Sequence, residues 1–141
     1  MSARPRILLT RRWTAEVEKY LAQHFDVTLN EGDVPMGAAQ LRAAMSQFDA
    51  ICPTVTDRID REVMSAPDRR VRLIGNFGVG FNHIDIEAAR ELGISVSNTP
   101  DVLTDTTADL AILLMLWSRA ARAKASASCA AANGPAGVPR T

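Results

Sequence analysis

The sequence predicts an α/β domain built on a mainly parallel five-stranded sheet with helices on both faces. Short β-rich runs alternate with helical patterns along most of the chain, the arrangement that gives right-handed β-α-β crossovers. Several of those runs are apolar without alternation, as expected of strands buried on both faces. Together these observations favour a flavodoxin-like strand order, 2-1-3-4-5, in which ligands gather beyond the carboxyl ends of the strands.

Five segments carry the strand signal: Arg6-Ile-Leu-Leu-Thr10, Asp26-Val-Thr-Leu-Asn30, Asp49-Ala-Ile-Cys-Pro53, Val71-Arg-Leu-Ile-Gly75 and Ile94-Ser-Val-Ser-Asn98. Between the first two, Thr14 is placed to cap a helix that buries Val17, Tyr20 and Leu21. Leu41, Ala44, Met45 and Phe48 recur at i, i+3, i+4 and i+7, which puts all four on one helical face. Asp60 opens a shorter helix ending near Pro67, and Asp85 caps Ile86 to Leu92, which Gly93 stops. Thr106-x-x-Asp109 reads as a capping box for a last helix that is apolar around its whole circumference up to Trp117. Such a helix needs protein on every side, so association through residues 106–118 is expected. From Arg119 to Thr141 there are nine alanines and one large aliphatic residue, Val138. The expectation there is frayed helix followed by disorder, in a mixture that also results when GC-rich coding DNA is read in a shifted frame. The predicted division is thus a domain over residues 1–118 and a low-complexity, Ala-rich tail over 119–141.

Charge narrows the function. All 16 acidic residues lie before residue 119, with 12 of the 16 Lys and Arg, so residues 1–118 carry 12 − 16 = −4. That balance argues against a nucleic-acid footprint. Cys52 and Cys129 fit neither a disulfide framework nor a metal cluster, and a reducing cytoplasm suits them. The longest apolar run, Leu110 to Trp117, is eight residues, where a membrane helix needs about 20.

The chemistry-bearing motifs are few. Gly75-Asn-Phe-Gly78-Val-Gly80 follows a strand in the setting where backbone amides cradle an anion, but its spacing is G-x-x-G-x-G rather than the dinucleotide G-x-G-x-x-G. His83 lies three residues later with Asp85 nearby, a pairing suited either to acid–base work or to a ring that bonds across its own loop. Asp101, Asp105 and Asp109 are accounted for by helix-start electrostatics. Three loops at the predicted ligand end stand out: residues 53–57, 76–85 and 98–107.

Read as strings, Leu73-Ile-Gly-Asn-Phe-Gly-Val-Gly-Phe-Asn-His-Ile-Asp85, Ala88-Ala-Arg-Glu-Leu-Gly-Ile94 and Asn98-Thr-Pro-Asp-Val-Leu-Thr-Asp-Thr-Thr-Ala-Asp-Leu-Ala111 resemble the D-isomer-specific 2-hydroxyacid dehydrogenases, with the second half most like glyoxylate and hydroxypyruvate reductases. The resemblance spans roughly residues 5 to 119 and matches the substrate-side lobe of that two-lobed family. It implies an oxidoreductase that interconverts small 2-oxo acids and D-2-hydroxy acids with NAD or NADP. By the same resemblance, Val79 and Gly80 offer backbone N–H groups to the substrate carboxylate, with Thr54 and Pro53 near that pocket. Thr107, with Val79, matches positions that approach the nicotinamide cofactor. The family's phosphate-binding G-x-G-x-x-G, its substrate-clamping Arg and its Glu–His pair have no counterpart in these 141 residues. The expectation is therefore a stretch with no catalytic residue of its own, inactive alone and without tight NAD(P) binding. The alternative is a non-catalytic flavodoxin-like module that binds a small carboxylate or a protein partner.

Overall fold

The computed structural model describes residues 4–133, and the chain divides into two units, the first ending at Asp101 and the second beginning at Val102. In the first unit, β1 (Arg6–Leu9), α1 (Ala15–His24), β2 (Asp26–Leu29), α2 (Ala38–Gln47), β3 (Ala50–Cys52), α3 (Arg61–Met64), β4 (Leu73–Gly75), α4 (Ile86–Glu91) and β5 (Ser95–Ser97) alternate. All four strand pairings are parallel and the sheet order is β2-β1-β3-β4-β5, as the alternation of β-rich and helical segments predicts.

The central strands β1 and β3 split their side chains between two cores, because successive residues point to opposite faces. Leu8, Ile51 and Ile74 join Leu41, Met45, Phe48, Val63, Met64, Ala88 and Ile94 on the face covered by α2, α3 and α4. Ile7, Leu9, Ala50 and Cys52 form a smaller core on the other face, with Trp13, Leu21, Phe25, Val27 and Leu29 packed against it. The predicted α2 face, Leu41, Ala44, Met45 and Phe48, is buried throughout. Burial also pushes the Cys52 thiol up to about 11, so it stays a neutral hydrophobe packed 3.4 Å from where a side chain on Gly75 would begin.

Helix punctuation follows the predicted chemistry at α3 and α4. Asp60 accepts the Val63 N–H at 3.1 Å and Asp85 accepts the Ala88 N–H at 2.9 Å, each satisfying an otherwise unpaired amide of the first turn. Gly93 stops α4 with a φ of +69°, a left-handed conformation that glycine adopts without steric cost.

The inward face of α1 differs from the expected one. Tyr20 is 60% exposed and Val17 39%, while Glu18 is buried. The cause is polar rather than apolar: Glu18 accepts from Arg12 Nε at 2.8 Å, Arg12 Nη2 at 2.7 Å and the Trp13 N–H at 2.8 Å. These bonds turn the helix so that Glu18, Leu21 and Phe25, spaced by three and four, face the sheet. The Arg12 guanidinium accordingly holds the Glu18 carboxyl below its usual range.

Among the described residues the second unit holds one helix, α5 (Thr104–Asn133). It starts two residues before Thr106, so the predicted capping box lies inside the helix rather than at its start. It also continues through the Ala-rich stretch to Asn133, where fraying was expected from Arg119. Alanine explains this, having the highest intrinsic helix propensity. The part of the expected tail beyond residue 133 lies outside the described residues. A lone helix cannot cover its own side chains: Leu110, Ile112, Leu113, Leu114, Met115, Leu116 and Trp117 are all at least half exposed. Among the described residues no helix is long and apolar enough to cross a membrane.

Candidate functional site

The carboxyl ends of β1, β3, β4 and β5 deliver Thr10, Pro53, Asn76 and Asn98 to one edge of the sheet. The sheet register brings the loops after β3 and β4 together. The Phe77 N–H donates to the Pro53 carbonyl at 2.9 Å, and Thr54 pairs with Phe77 as an isolated parallel bridge. A second bridge joins Ile59 to Ile84. Trp13, from the loop after β1, stacks on Phe77 with ring centroids 4.7 Å apart.

Thr54 is fixed by a buried carboxylate. Asp57 Oδ2 accepts the Thr10 hydroxyl at 2.6 Å and the Thr54 N–H at 2.9 Å, and Asp57 is wholly buried. This side chain ties the end of β1 to the loop after β3. Its Oδ1 has no hydrogen-bond partner among the described residues. The Thr54 hydroxyl lies 3.1 Å from that of Thr56, which Arg11 also reaches at 3.1 Å. Arg11 is paired at 2.8 Å with Asp33, whose carboxyl is lowered to about 2 by that hydrogen bond and by the Arg12 N–H.

The turn after β4 is organised by two asparagines. Asn76 is buried; its Nδ2 donates to the Gly78 carbonyl at 3.1 Å and to the Gly80 carbonyl at 2.9 Å. Asn98 Nδ2 donates to the Val79 carbonyl at 2.8 Å, and the Thr99 N–H adds a bond to the Gly78 carbonyl at 3.1 Å. The peptides are trans, so each C=O points opposite to the N–H of the next residue. Three anchored carbonyls therefore orient three amides: those of Val79 and Phe81 face away from Asn76, and that of Gly80 faces away from Asn98. The Val79 and Gly80 N–H groups have no acceptor among the described residues. A side chain added at Gly80 would meet nothing within 4 Å. The turn thus leaves two successive amide donors unaccepted, with open space at Gly80.

His83 sits in the same loop but is not arranged for acid–base work. Its Nε2 lies 2.9 Å from Asn76 Oδ1, and Asp85, its neighbour in sequence, spends its carboxylate on the α4 cap. Partial burial lowers the ring's pKa, against a smaller opposing pull from Asp57. Thr107 belongs to the second unit, in the first turn of α5, where its N–H donates to the Leu103 carbonyl at 2.9 Å. The structure thus joins Thr54, Val79 and Gly80 within one unit and places Thr107 in the other. Sequence reasoning did not single out Asn76, Asn98 or Asp57. The available signal was an Asn at the carboxyl end of each of two adjacent strands.

A hollow of about 690 Å³, lined by Pro5, Ser46, Asp49, Asp68, Arg69, Arg70 and Arg72, lies at the opposite, amino ends of the strands. Its cations are largely committed, Arg70 to Asp49 and Arg69 to the Val71 and Leu92 carbonyls. We therefore place the site at the carboxyl edge. Among the described residues no cluster of His, Cys, Asp or Glu is disposed to hold a metal.

The first unit is thus a parallel α/β domain that carries a turn with two unaccepted amides beyond the carboxyl ends of its strands. A model of the D-isomer specific 2-hydroxyacid dehydrogenase catalytic domain matches residues 7–134, and the chain belongs to that family. The match runs beyond Arg119, where the sequence resemblance had ended. The glyoxylate reductase of Thermococcus onnurineus is 37% identical over 113 residues, and that of Pyrococcus horikoshii 40% over 116, each alignment covering 80% of this chain and 34% of the relative. The chain therefore spans about a third of the length of these curated relatives. Among solved structures, the 2-hydroxyacid dehydrogenase of Ketogulonicigenium vulgare superposes with a TM-score of 0.66 at 30% identity, covering 99% of this chain and 45% of that one. An NADPH-dependent glyoxylate/hydroxypyruvate reductase of Sinorhizobium meliloti, in complex with NADP and malonate, gives 0.61 at 34% identity, covering 81% and 34%.

The turn after β4 does not fit a dinucleotide pyrophosphate by itself. A pyrophosphate needs a glycine turn that opens directly into a helix N-terminus. Here the turn after β4 is separated from α4, and the α4 N-terminus is already occupied by the Asp85 carboxylate.

Proposed function

We propose that this chain is the substrate-side part of an NAD(P)-dependent oxidoreductase acting on small 2-oxo acids such as glyoxylate and hydroxypyruvate, and that its turn at Val79 and Gly80 grips the substrate carboxylate. The observation that carries the proposal is the pair of outward, unaccepted N–H groups with open space at Gly80. Two amides donating to one carboxylate are charge-assisted and short, about twice as strong as neutral hydrogen bonds. The names of the glyoxylate reductase relatives support the substrate class, and malonate, held by the Sinorhizobium relative, is itself a carboxylate. Thr54, held by Asp57, stands on the neighbouring loop after β3. Thr107 and Val79 are the positions assigned to approach the nicotinamide.

The 141 residues grip and orient; they do not transfer hydride alone. Reduction of a 2-oxo acid requires a hydride donor within about 3–3.5 Å of the carbonyl carbon, with a proton donor and a cation beside it. The sequence holds none of the family's residues for the last two.

Calorimetric titration of the chain with oxamate, a redox-inert carboxylate analogue, tests the reading, alongside NADH absorbance in the presence of glyoxylate or hydroxypyruvate. The expected result is oxamate binding that is independent of NADH, with no oxidation of NADH. Turnover would overturn the inactivity, and absence of oxamate binding would overturn the carboxylate grip.

A further inference from the structure

We propose that His83 is a positioning residue for the carboxylate turn, acting through Asn76; this rests on the carboxylate-gripping function proposed above. Every hydrogen-bonding atom of Asn76 is engaged. Its N–H donates to the Ser97 carbonyl at 2.8 Å, its carbonyl accepts the Gly78 N–H at 3.1 Å, and its side-chain NH₂ donates to Gly78 and Gly80. Rotating the side-chain amide by half a turn would set Oδ1 against two carbonyl oxygens, so the amide has one workable orientation. That orientation aims Oδ1 at His83 Nε2, 2.9 Å away. Because Oδ1 only accepts, Nε2 must carry the proton, and the neutral ring is the Nε2–H tautomer with Nδ1 bare.

The consequence runs from ring to turn. The His83 backbone is itself held, its carbonyl accepting the Ile59 N–H at 2.8 Å. The imidazole N–H thus anchors Asn76 from a fixed point, and Asn76 in turn holds the Gly78 and Gly80 carbonyls inward and the Val79 amide outward. Without a donor at Oδ1, a buried amide oxygen is left unpaired, an arrangement that proteins avoid by moving the group toward water. That movement would release both carbonyls and let the turn rotate its amides away from a ligand. The ring therefore serves the site without touching the ligand, and the bond survives ring protonation, since both nitrogens then carry hydrogen.

Two substitutions and one spectroscopic signature test this on the 141-residue chain. His83→Gln keeps an N–H donor at comparable reach, and His83→Leu removes it. Nitrogen-15 NMR of the wild-type ring above its titration midpoint should show Nε2 protonated and Nδ1 bare. Oxamate affinity should fall about tenfold in His83→Leu and stay within about twofold of wild type in His83→Gln. A change in melting temperature alone, with equal affinity in all three proteins, would show a merely structural role and overturn the proposal, as would a neutral ring protonated at Nδ1. If the wild type binds no oxamate, the carboxylate grip itself has failed, whichever tautomer is found, and the positioning role falls with it.

Discussion

Replacing Gly80 by alanine should move stability and binding in opposite directions. Gly93 is the glycine with a left-handed φ among the described residues, so Gly80 has a backbone conformation that alanine tolerates. A methyl there would meet nothing within 4 Å. The folded chain thus gains no clash, while the unfolded chain loses conformational freedom, which should stabilise by about 0.4–1 kcal/mol. For a chain of this length that is a rise of about 1–4 °C in melting temperature. The same methyl stands beside the Gly80 N–H, where the carboxylate is to sit. Losing one hydrogen bond to a charged group costs about 1.5–3 kcal/mol, which weakens binding about 10- to 150-fold. Differential scanning fluorimetry reads the first effect and calorimetry with oxamate the second. Unchanged affinity would refute the placement of the carboxylate over Gly80. A loss of both stability and affinity would show that the space is needed by the chain itself.

Other predictions follow from the polar contacts and from α5. Asp57→Ala strips the carboxylate from the Thr10 hydroxyl and the Thr54 N–H and should destabilise the chain by about 2–4 kcal/mol, read as a lower urea midpoint; an unchanged midpoint would show that the carboxylate does not tie these segments. The Asp33 carboxyl is lowered from 3.8 to about 2, chiefly by the hydrogen bond from Arg11. Its contribution is therefore complete above pH 3.8 and is lost as pH falls toward 2. Asp33 has a φ of +47°, which asparagine also adopts, so Asp33→Asn isolates the charge. The melting-temperature gap between wild type and Asp33→Asn should close across that window, and a constant gap would contradict the pairing. The exposed apolar side chains of α5 should drive association of the 141-residue chain. Sedimentation should show oligomers that Leu113→Lys with Trp117→Lys, four residues apart on one helical face, dissolve; a monomeric wild type would contradict this.

The sheet and the helices over its better-covered face were legible because their determinants are local. Alternation implied parallel crossovers, and Asp60, Asp85 and Gly93 punctuate helices through bonds or backbone angles set within three residues. The failures have longer-range or competing causes. At α1, Arg12 and Trp13 recruit Glu18 inward and override the apolar spacing of Val17 and Tyr20. In α5, alanine content that looked like low complexity sustains a helix. At the site, the glycine run announced an anion-friendly turn and the family resemblance pointed to Val79 and Gly80, but what orients them was hidden. Asn98 lies 19 residues from Val79, and only the pairing of β4 with β5 brings it there. The Asp57 contact with Thr10 spans 47 residues, and the pairing of β1 with β3 brings the two together. His83 drew attention as a titratable side chain, whereas the contact that matters is the one its Nε2 makes with Asn76.

The most direct test of the carboxylate turn is a proton–nitrogen NMR titration of the uniformly labelled chain with oxamate at constant ionic strength. The amides of Val79 and Gly80 should shift most and saturate together, with Thr54 responding beside them. Saturating shifts confined to Arg69, Arg70 and Arg72 at the opposite end of the sheet, with Val79 and Gly80 unmoved, would contradict the account.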